Sequence, residues 1–319
     1  MATSDQIKSL IKAHIDGDND RFKTVVLQIA AYEAKHNHEN IARELKKLVE
    51  KNFTSKNSII HLSKLNPMLT MSMPSTKLEE LIVSEEITER IKRILEEFLN
   101  RNKLKKYGMC NRRKILIEGK PGTGKTFTAS VIASELSLPL YTVQMDKLVT
   151  KYMGETSTKL RQIFDSIENT TGVYFFDEFD AIGADRNLDN EVGEMRRILN
   201  SFLQFIEQDT SDSIIIAATN NQQLLDQALF RRFDDVLHYS MPDDNDIKRL
   251  YEYRLSVYQK NFTPSEKLIQ SSRALSHAEI IRVCDDAIKS SILSGEAITS
   301  QSLQIGVDER LMVYAGKEA

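Results

Sequence analysis

The sequence predicts an α/β protein: a parallel five-stranded sheet flanked by helices, then an all-helical lid, with a small all-α N-terminal unit ahead of both. Three observations carry this expectation. Five short, mostly unbroken apolar runs ("KILIEG", "LPLYTVQ", "GVYFFDE", "SIIIAAT" and "DVLHY") alternate with helical patterns from residue 113 onward. That is the pattern of parallel strands buried on both faces. After Pro242 the strands stop, and "DNDIKRLYEYRLSVYQ" and "SHAEIIRVCDDAIKSSILSG" read as helices, with residues 243–245 offering a cap. Before residue 52, Ile7, Leu10, Ile11 and Ile15, then Phe22, Val25, Val26 and Ile29, then Ile41, Leu45, Leu48 and Val49 recur at helical spacing.

In chain order, residues 1–52 form a helical hairpin or three-helix unit, broken at "DGDND". It is too small to bury much apolar surface alone and is expected to recruit substrate or an adaptor. Residues 53–77 are rich in Ser, Thr, Asn and Pro and read as a linker. "STKLEE" resembles a capping box, and a charged amphipathic helix follows around residues 85–100. Residues 78–243 hold the α/β unit and residues 244–319 the lid.

The bulk numbers narrow the function classes. Of 319 residues, 41 % are hydrophobic and 28 % charged, which excludes wholesale disorder. A net charge of −3 gives no support to a strongly basic nucleic-acid surface. The densest basic run, "RNKLKKYGMCNRRK", reads as a solvated helix end and loop. The two cysteines, Cys110 and Cys284, sit in no CxxC pair or zinc spacing and read as reduced thiols. No apolar leader is present, and no run reaches the roughly 18 apolar residues of a membrane span. A cytoplasmic location follows as the expectation.

The chemistry concentrates in one sheet. Residues 119–126, "GKPGTGKT", fit G-x-x-x-x-G-K-[ST] between a strand and a helix. Gly119, Lys120, Pro121, Gly122, Thr123 and Gly124 curl the backbone so that successive N–H groups face phosphate oxygens, the helix that follows adds its positive end, and Phe127 is expected to join the nucleotide site. Lys125 reaches the β- and γ-phosphates, and Thr126 ligates Mg²⁺. Asp177, after the strand "VYFF", completes the metal shell, and Glu178 is the candidate general base. Asn220, after "SIIIAAT", is placed to hold the attacking water or the γ-phosphate. Arg231 and Arg232 are candidates to stabilise the transition-state charge, in cis or from a neighbour. One feature lacks a core rationale: Tyr152 and Met153 lie beside a glycine in "TKYMGE", where neither strand nor helical spacing buries them.

"GKPGTGKT", "YFFDEFDAIG", "GEMRRILNSFLQFIEQ", "ATNNQQLLDQALFRRFD" and "LSHAEI" occur in the order and spacing of AAA ATPases, and the chain from about 78 to 310 resembles that P-loop NTPase module. The resemblance implies ATP and Mg²⁺ as cofactors, a homo-hexameric ring with nucleotide between subunits, and a protein substrate. It implies Asn220 as first sensor and Arg231 and Arg232 as arginine fingers. It also implies adenine contacts at Ile82, His277 and Ala278, and a pore loop at Lys151, Tyr152 and Met153 gripping an extended chain. Three positions depart from the family pattern: Lys120 stands for a proline, His277 for a glycine, and "FRRFD" is contiguous, as in severing and disassembly members. The layout also resembles ATPases found beside subtilisin-like peptidases, which implies a separate peptidase partner.

The reading that follows is an ATP-driven polypeptide unfoldase, translocase or complex-disassembly motor. Within it, the N-terminal helices alternatively resemble the microtubule-interacting and transport domain. An ATP-driven nucleic-acid remodeller or loader is the competing class, opposed by the charge balance and by Tyr152. A nucleotide switch without turnover is opposed by Glu178, Asn220 and the arginine pair.

Overall fold

A computed structural model describes residues 66–148, 155–179, 191–220, 230–259 and 262–315, with isolated positions before residue 62. The chain divides into two compact units, Met1–Ser58 and Ile59–Ala319. In the first, the described positions are helical, and Val25, Val26, Ile29 and Ala30 are buried. Three of these four are positions that the helical spacing singles out.

The second unit is built on a sheet. Its strands are β1 (Ile60–His61), β2 (Leu69–Ser72), β3 (Lys114–Gly119), β4 (Leu140–Val143), β5 (Val173–Phe176), β6 (Ile214–Thr219) and β7 (Asp235–Tyr239). They lie in the order β1-β2-β4-β5-β6-β3-β7. The five from β4 to β7 are parallel, as expected. The sheet then continues through two antiparallel strands, β2 on β4 and β1 on β2. Residues 69–72 fall within the stretch read as linker. "LTMS" hides a strand because an edge strand needs only one buried side, and only Leu69 of the four is fully buried. Asn66 fixes the approach: its Oδ1 accepts from Met68 N (3.1 Å), and its Nδ2 donates to Gln162 O (3.2 Å).

Alternation along the central strands builds two cores. Ile115, Ile117, Phe175 and Ile216 pack on one face, against α1 (Glu85–Leu99) and α3 (Lys125–Glu135). Leu116, Tyr174, Phe176 and Ile215 pack on the other, against α5 (Glu155–Asn169) and α6 (Glu191–Gln208). Between α1 and β3 lies the short α2 (Arg101–Lys106), and α4 (Met145–Leu148) follows β4. The "STKLEE" turn is a 3₁₀ turn without a side-chain cap, and the cap of α1 is instead Ser84, which accepts from Ile87 N.

The lid comprises α7 (Asp244–Leu255), α8 (Glu266–Ser272), α9 (His277–Ser294) and α10 (Ser300–Ala315) around Ile247, Tyr251, Leu268, Ile280 and Cys284. Asp243 caps α7 by accepting from Asp246 N at 2.8 Å. Residues 81–83 join the two halves: Leu81 and Val83 bury in the sheet-side core, while Ile82 buries among the lid helices. Three of the seven basic side chains of the run "RNKLKKYGMCNRRK" are paired with carboxylates. Lys105 pairs with Asp212, Arg112 with Glu97 and Arg113 with Asp209.

Candidate functional site

The loop from β3 to α3 needs glycine for geometric reasons. A Cβ on Gly119 would lie 2.5 Å from the Tyr239 carbonyl oxygen, at the end of β7. Gly124 sits at φ +106 and starts α3 with no side-chain cap. The first amides of α3 are therefore not taken by a side chain, which suits an anion. Tyr239 supports the loop from below. Its buried hydroxyl lies 2.5 Å from that of Thr128, and burial pushes its pKa up.

Lys125 is 6 % exposed and already engaged. Its Nζ donates to the carbonyls of Gly119 (2.7 Å) and Lys120 (2.9 Å) and to Asn220 Oδ1 (2.8 Å). Thr126 Oγ1 donates to Asp177 Oδ2 at 2.8 Å, so the hydroxyl and the carboxylate converge on one point. Asp177 Oδ1 accepts from Glu178 N (2.9 Å). Glu178 itself has φ +50, a left-handed conformation that a non-glycine residue holds only under constraint.

These groups line one end of a cavity of about 600 Å³. The rest of the lining is mixed: Leu81, Ile82, Leu250, Ala278 and Ile281 are apolar, and Glu80, Tyr253, Arg254 and His277 are polar. The lid turn closes on the loop directly: Ala278 N donates to Gly122 O (3.0 Å). A Cβ on Gly122 would meet Ser276 Oγ at 2.5 Å. Ser276 is itself fixed, its N–H and hydroxyl both donating to the Glu279 carboxylate. His277, the first residue of α9, lines the cavity and is 7 % exposed. Burial pushes its imidazole down to about 4, against an opposing pull from Asp243.

A strand, a glycine loop on a helix N-terminus, a convergent Thr–Asp pair and a closing helical lid describe a nucleoside-triphosphate site. The comparisons agree. A sequence model of the "ATPase family associated with various cellular activities (AAA)" matches residues 115–241. AAA family ATPase y4kL of Sinorhizobium fredii is 34 % identical over 304 residues, 92 % of this chain and 90 % of that protein. The chain belongs to the AAA ATPase family. A 26S proteasome regulatory subunit homolog of Methanothermobacter thermautotrophicus is 31 % identical over 62 % of this chain and 55 % of that protein. An ATP-dependent zinc metalloprotease FtsH of Rhodococcus erythropolis is 30 % identical over 75 % of this chain, which covers only 29 % of that enzyme.

This AAA ATPase binds and hydrolyses ATP, and its fold brings most of the expected residues together. Pro121, Gly122, Thr123, Gly124, Lys125, Thr126, Phe127, Asp177, Glu178, Asn220, Ile82, His277 and Ala278 all line the cavity. Gly119 and Lys120 instead line a recess of about 480 Å³ with Asn220, Glu118 and His238. Arg231 and Arg232 line neither cavity, and Arg232 Nε pairs with Glu207 at 2.8 Å. Lys151, Tyr152 and Met153 lie outside the described residues.

The residues fit a magnesium ion. Mg²⁺ in such sites takes one or two protein oxygens and fills its shell with phosphate oxygens and water, and the Thr126–Asp177 pair supplies that number. Among the described residues no group of three or more His, Cys, Asp or Glu could hold a metal. Sequence reasoning missed Tyr239 and the Ser276–Gly122 contact. It also missed Leu250, Tyr253, Arg254 and Ile281 on the lid wall. The Ser276–Glu279 spacing is a capping-box signal, but nothing in it says which loop the turn will touch.

Proposed function

We propose that this AAA ATPase works as a homo-hexameric ring in the cytoplasm, coupling ATP hydrolysis to unfolding, threading or disassembly of a protein substrate. One observation supports the ring above all: the cavity of a single chain contains the loop, the acid pair and Asn220, but neither arginine. The transition state for phosphoryl transfer spreads charge over the γ-phosphate oxygens, and an arginine is the usual complement to it. Arg231 and Arg232 lie outside their own cavity, with Arg232 paired to Glu207, and in this reading they would serve the cavity of an adjacent copy.

In this reading Lys125 exchanges its carbonyl and Asn220 partners for the β- and γ-phosphates. Thr126 and Asp177 would hold Mg²⁺, which offsets phosphate charge when bound. Glu178 takes the proton of the attacking water as the bond to γ-phosphorus forms and the bond to the bridging oxygen breaks, releasing ADP. Asn220 orients that water. Residues 78–243, with β2 added to their sheet, form the nucleotide-binding domain. Residues 244–319 form the lid, residues 1–52 recruit substrate or adaptor, and Lys151, Tyr152 and Met153 line the pore. An aromatic ring contacts many kinds of side chain without demanding one sequence, which suits a translocating grip. No HExxH or GxSxG occurs in the 319 residues, so proteolysis would fall to a separate subtilisin-like peptidase. The nucleic-acid alternative is weakened, because three of the seven basic side chains of its run, Lys105, Arg112 and Arg113, are engaged with carboxylates.

The test mixes two inactive chains. Subunits carrying Arg231→Ala and Arg232→Ala should regain partial ATPase activity when mixed with Lys125→Ala subunits, because one interface then has a sound loop and sound arginines. No recovery, with mixed rings shown to form, removes the arginines from action in trans. Tyr152→Ala should leave basal hydrolysis near normal and abolish substrate processing; normal processing ends the pore assignment. A co-encoded peptidase that neither binds the ATPase nor changes its activity would remove the peptidase pairing.

A further inference from the structure

The resemblance gives Arg231 and Arg232 one role, yet the structure sets the two side chains apart. Arg232 is held on its own chain. Its Nε lies 2.8 Å from Glu207 Oε1, near the C-terminal end of α6, and its side chain is 31 % exposed. Arg231 is exposed, and among the described residues it has neither a hydrogen bond nor an ion pair. The segment that carries both is fixed on either side. Phe233 is buried and Phe230 half-buried against the core that α6 shares with the sheet. Asp234 Oδ2 accepts from Arg113 N and Lys114 N, both at 2.9 Å, and Asp234 N donates to Lys114 O at 2.8 Å. The start of β3 and the end of α6 therefore anchor residues 230–234 and leave one guanidinium, that of Arg231, uncommitted. To stabilise phosphate charge, Arg232 would have to leave a carboxylate, whereas Arg231 gives up only water.

We propose that Glu207 and Arg232 form a clamp that sets the position of Arg231, and that Arg231 alone of the pair contacts the γ-phosphate of an adjacent copy. This rests on the reading of action in trans and divides it: Arg231 is the catalytic residue, and Arg232 and Glu207 are positioning residues. Consecutive Cα atoms are about 3.8 Å apart, so a side chain held at 232 fixes where the backbone of 231 stands. A half-exposed ion pair adds little to stability. The clamp acts on geometry instead, where a misplacement of about 1 Å can cost about 10²-fold in rate.

Full-length variants are compared for kcat and for equilibrium ATP binding, with ring assembly followed in each. Arg231→Ala should lower kcat about 10³-fold or more, the scale of an arginine that meets the transferred phosphoryl group, with ATP affinity nearly unchanged. Arg232→Ala and Glu207→Ala should each lower kcat by about ten- to hundredfold, and the double variant by no more than either alone. The exchange of charges, Glu207→Arg with Arg232→Glu, is the sharpest arm. It rebuilds the ion pair in reverse and puts a carboxylate where a phosphate contact would need a cation. Recovery of kcat above that of Arg232→Ala supports the clamp. Equal losses at 231 and 232 without recovery in the exchange overturn it, as does parental kcat in Glu207→Ala or in Arg231→Ala. If the exchanged chain does not fold, the double variant decides: a loss equal to the product of the two single losses overturns the clamp. Mixing Arg231→Ala with Lys125→Ala subunits keeps the two readings separate. No recovery in rings shown to form removes action in trans, whereas recovery beside equal losses at 231 and 232 removes the clamp alone.

Discussion

The two ends of the nucleotide cavity are built on opposite plans. The phosphate end comes from one contiguous loop and the tips of three adjacent strands, and without a ligand its groups satisfy one another. Lys125 holds two carbonyls and Asn220, and Thr126 holds Asp177. The nucleoside end comes from three segments far apart in sequence: residues 81–83, the α7 wall and the turn before α9. There, among the described residues, the two buried ring nitrogens of His277 have no hydrogen-bond partner. The first end is preorganised by its own hydrogen bonds, whereas the second leaves a buried polar ring without one among the described residues.

Substitutions can break this contrast, and the largest effects belong to the phosphate end. Glu178→Gln should lower kcat by roughly 10²–10⁴, the range of a lost general base, while ATP binding persists. Rapid-quench turnover beside equilibrium binding measures both, and near-normal turnover would take the base role from Glu178. Lys125→Ala should weaken every phosphate-bearing ligand by about ten- to hundredfold, the scale of a charge-assisted hydrogen bond. If ATP weakened but tripolyphosphate did not, the two-ended description would fail. Tyr239→Phe should cost about 1–2 kcal/mol of stability in denaturant melts, because the buried Thr128 hydroxyl loses a partner. It should also weaken tripolyphosphate and ATP alike, since β7 supports the loop and not the base. An unchanged stability would mean that the 2.5 Å hydroxyl contact contributes nothing to the fold.

The same contrast explains what the sequence made readable. The phosphate loop is local: eight consecutive residues between a strand and a helix carry the whole geometry. The acid pair and Asn220 follow because residues after parallel strands gather at one edge of the sheet. The lid wall is non-local. Leu250, Tyr253 and Arg254 read as an ordinary amphipathic helix, and only the packing of α7 on α9 turns them toward the cavity. Tyr239 was hidden for a related reason, since a tyrosine ending an apolar strand looks the same whether it supports a loop or fills a core. The strand at residues 69–72 was hidden by composition, because its polar residues match a linker as well as an edge. The left-handed backbone at Glu178 has no sequence signal at all, because glutamate is not the residue that such a φ favours.

The smallest effect separates His277 from the acid chemistry around it. Burial lowers its folded-state pKa to about 4, whereas an imidazole in the unfolded chain titrates near 6.5. Between these values the unfolded chain binds a proton that the folded chain refuses. His277 therefore lowers stability as pH falls from about 6.5 to about 4, and has no such effect above about 7. Asp243 is the titratable neighbour that acts on it, and its negative charge opposes the shift. At pH 6 the penalty is about 1 kcal/mol, and it grows by about 1 kcal/mol for each further pH unit until about 4. Other carboxylates titrate in the lower part of this window, so the informative quantity is a difference. Parent and His277→Asn should have matching pH slopes above pH 7, and the parent alone should steepen between 6.5 and 5. If the two proteins kept parallel slopes down to pH 5, the imidazole would not be held neutral by burial, and the unpartnered end of the cavity would lose its most specific group.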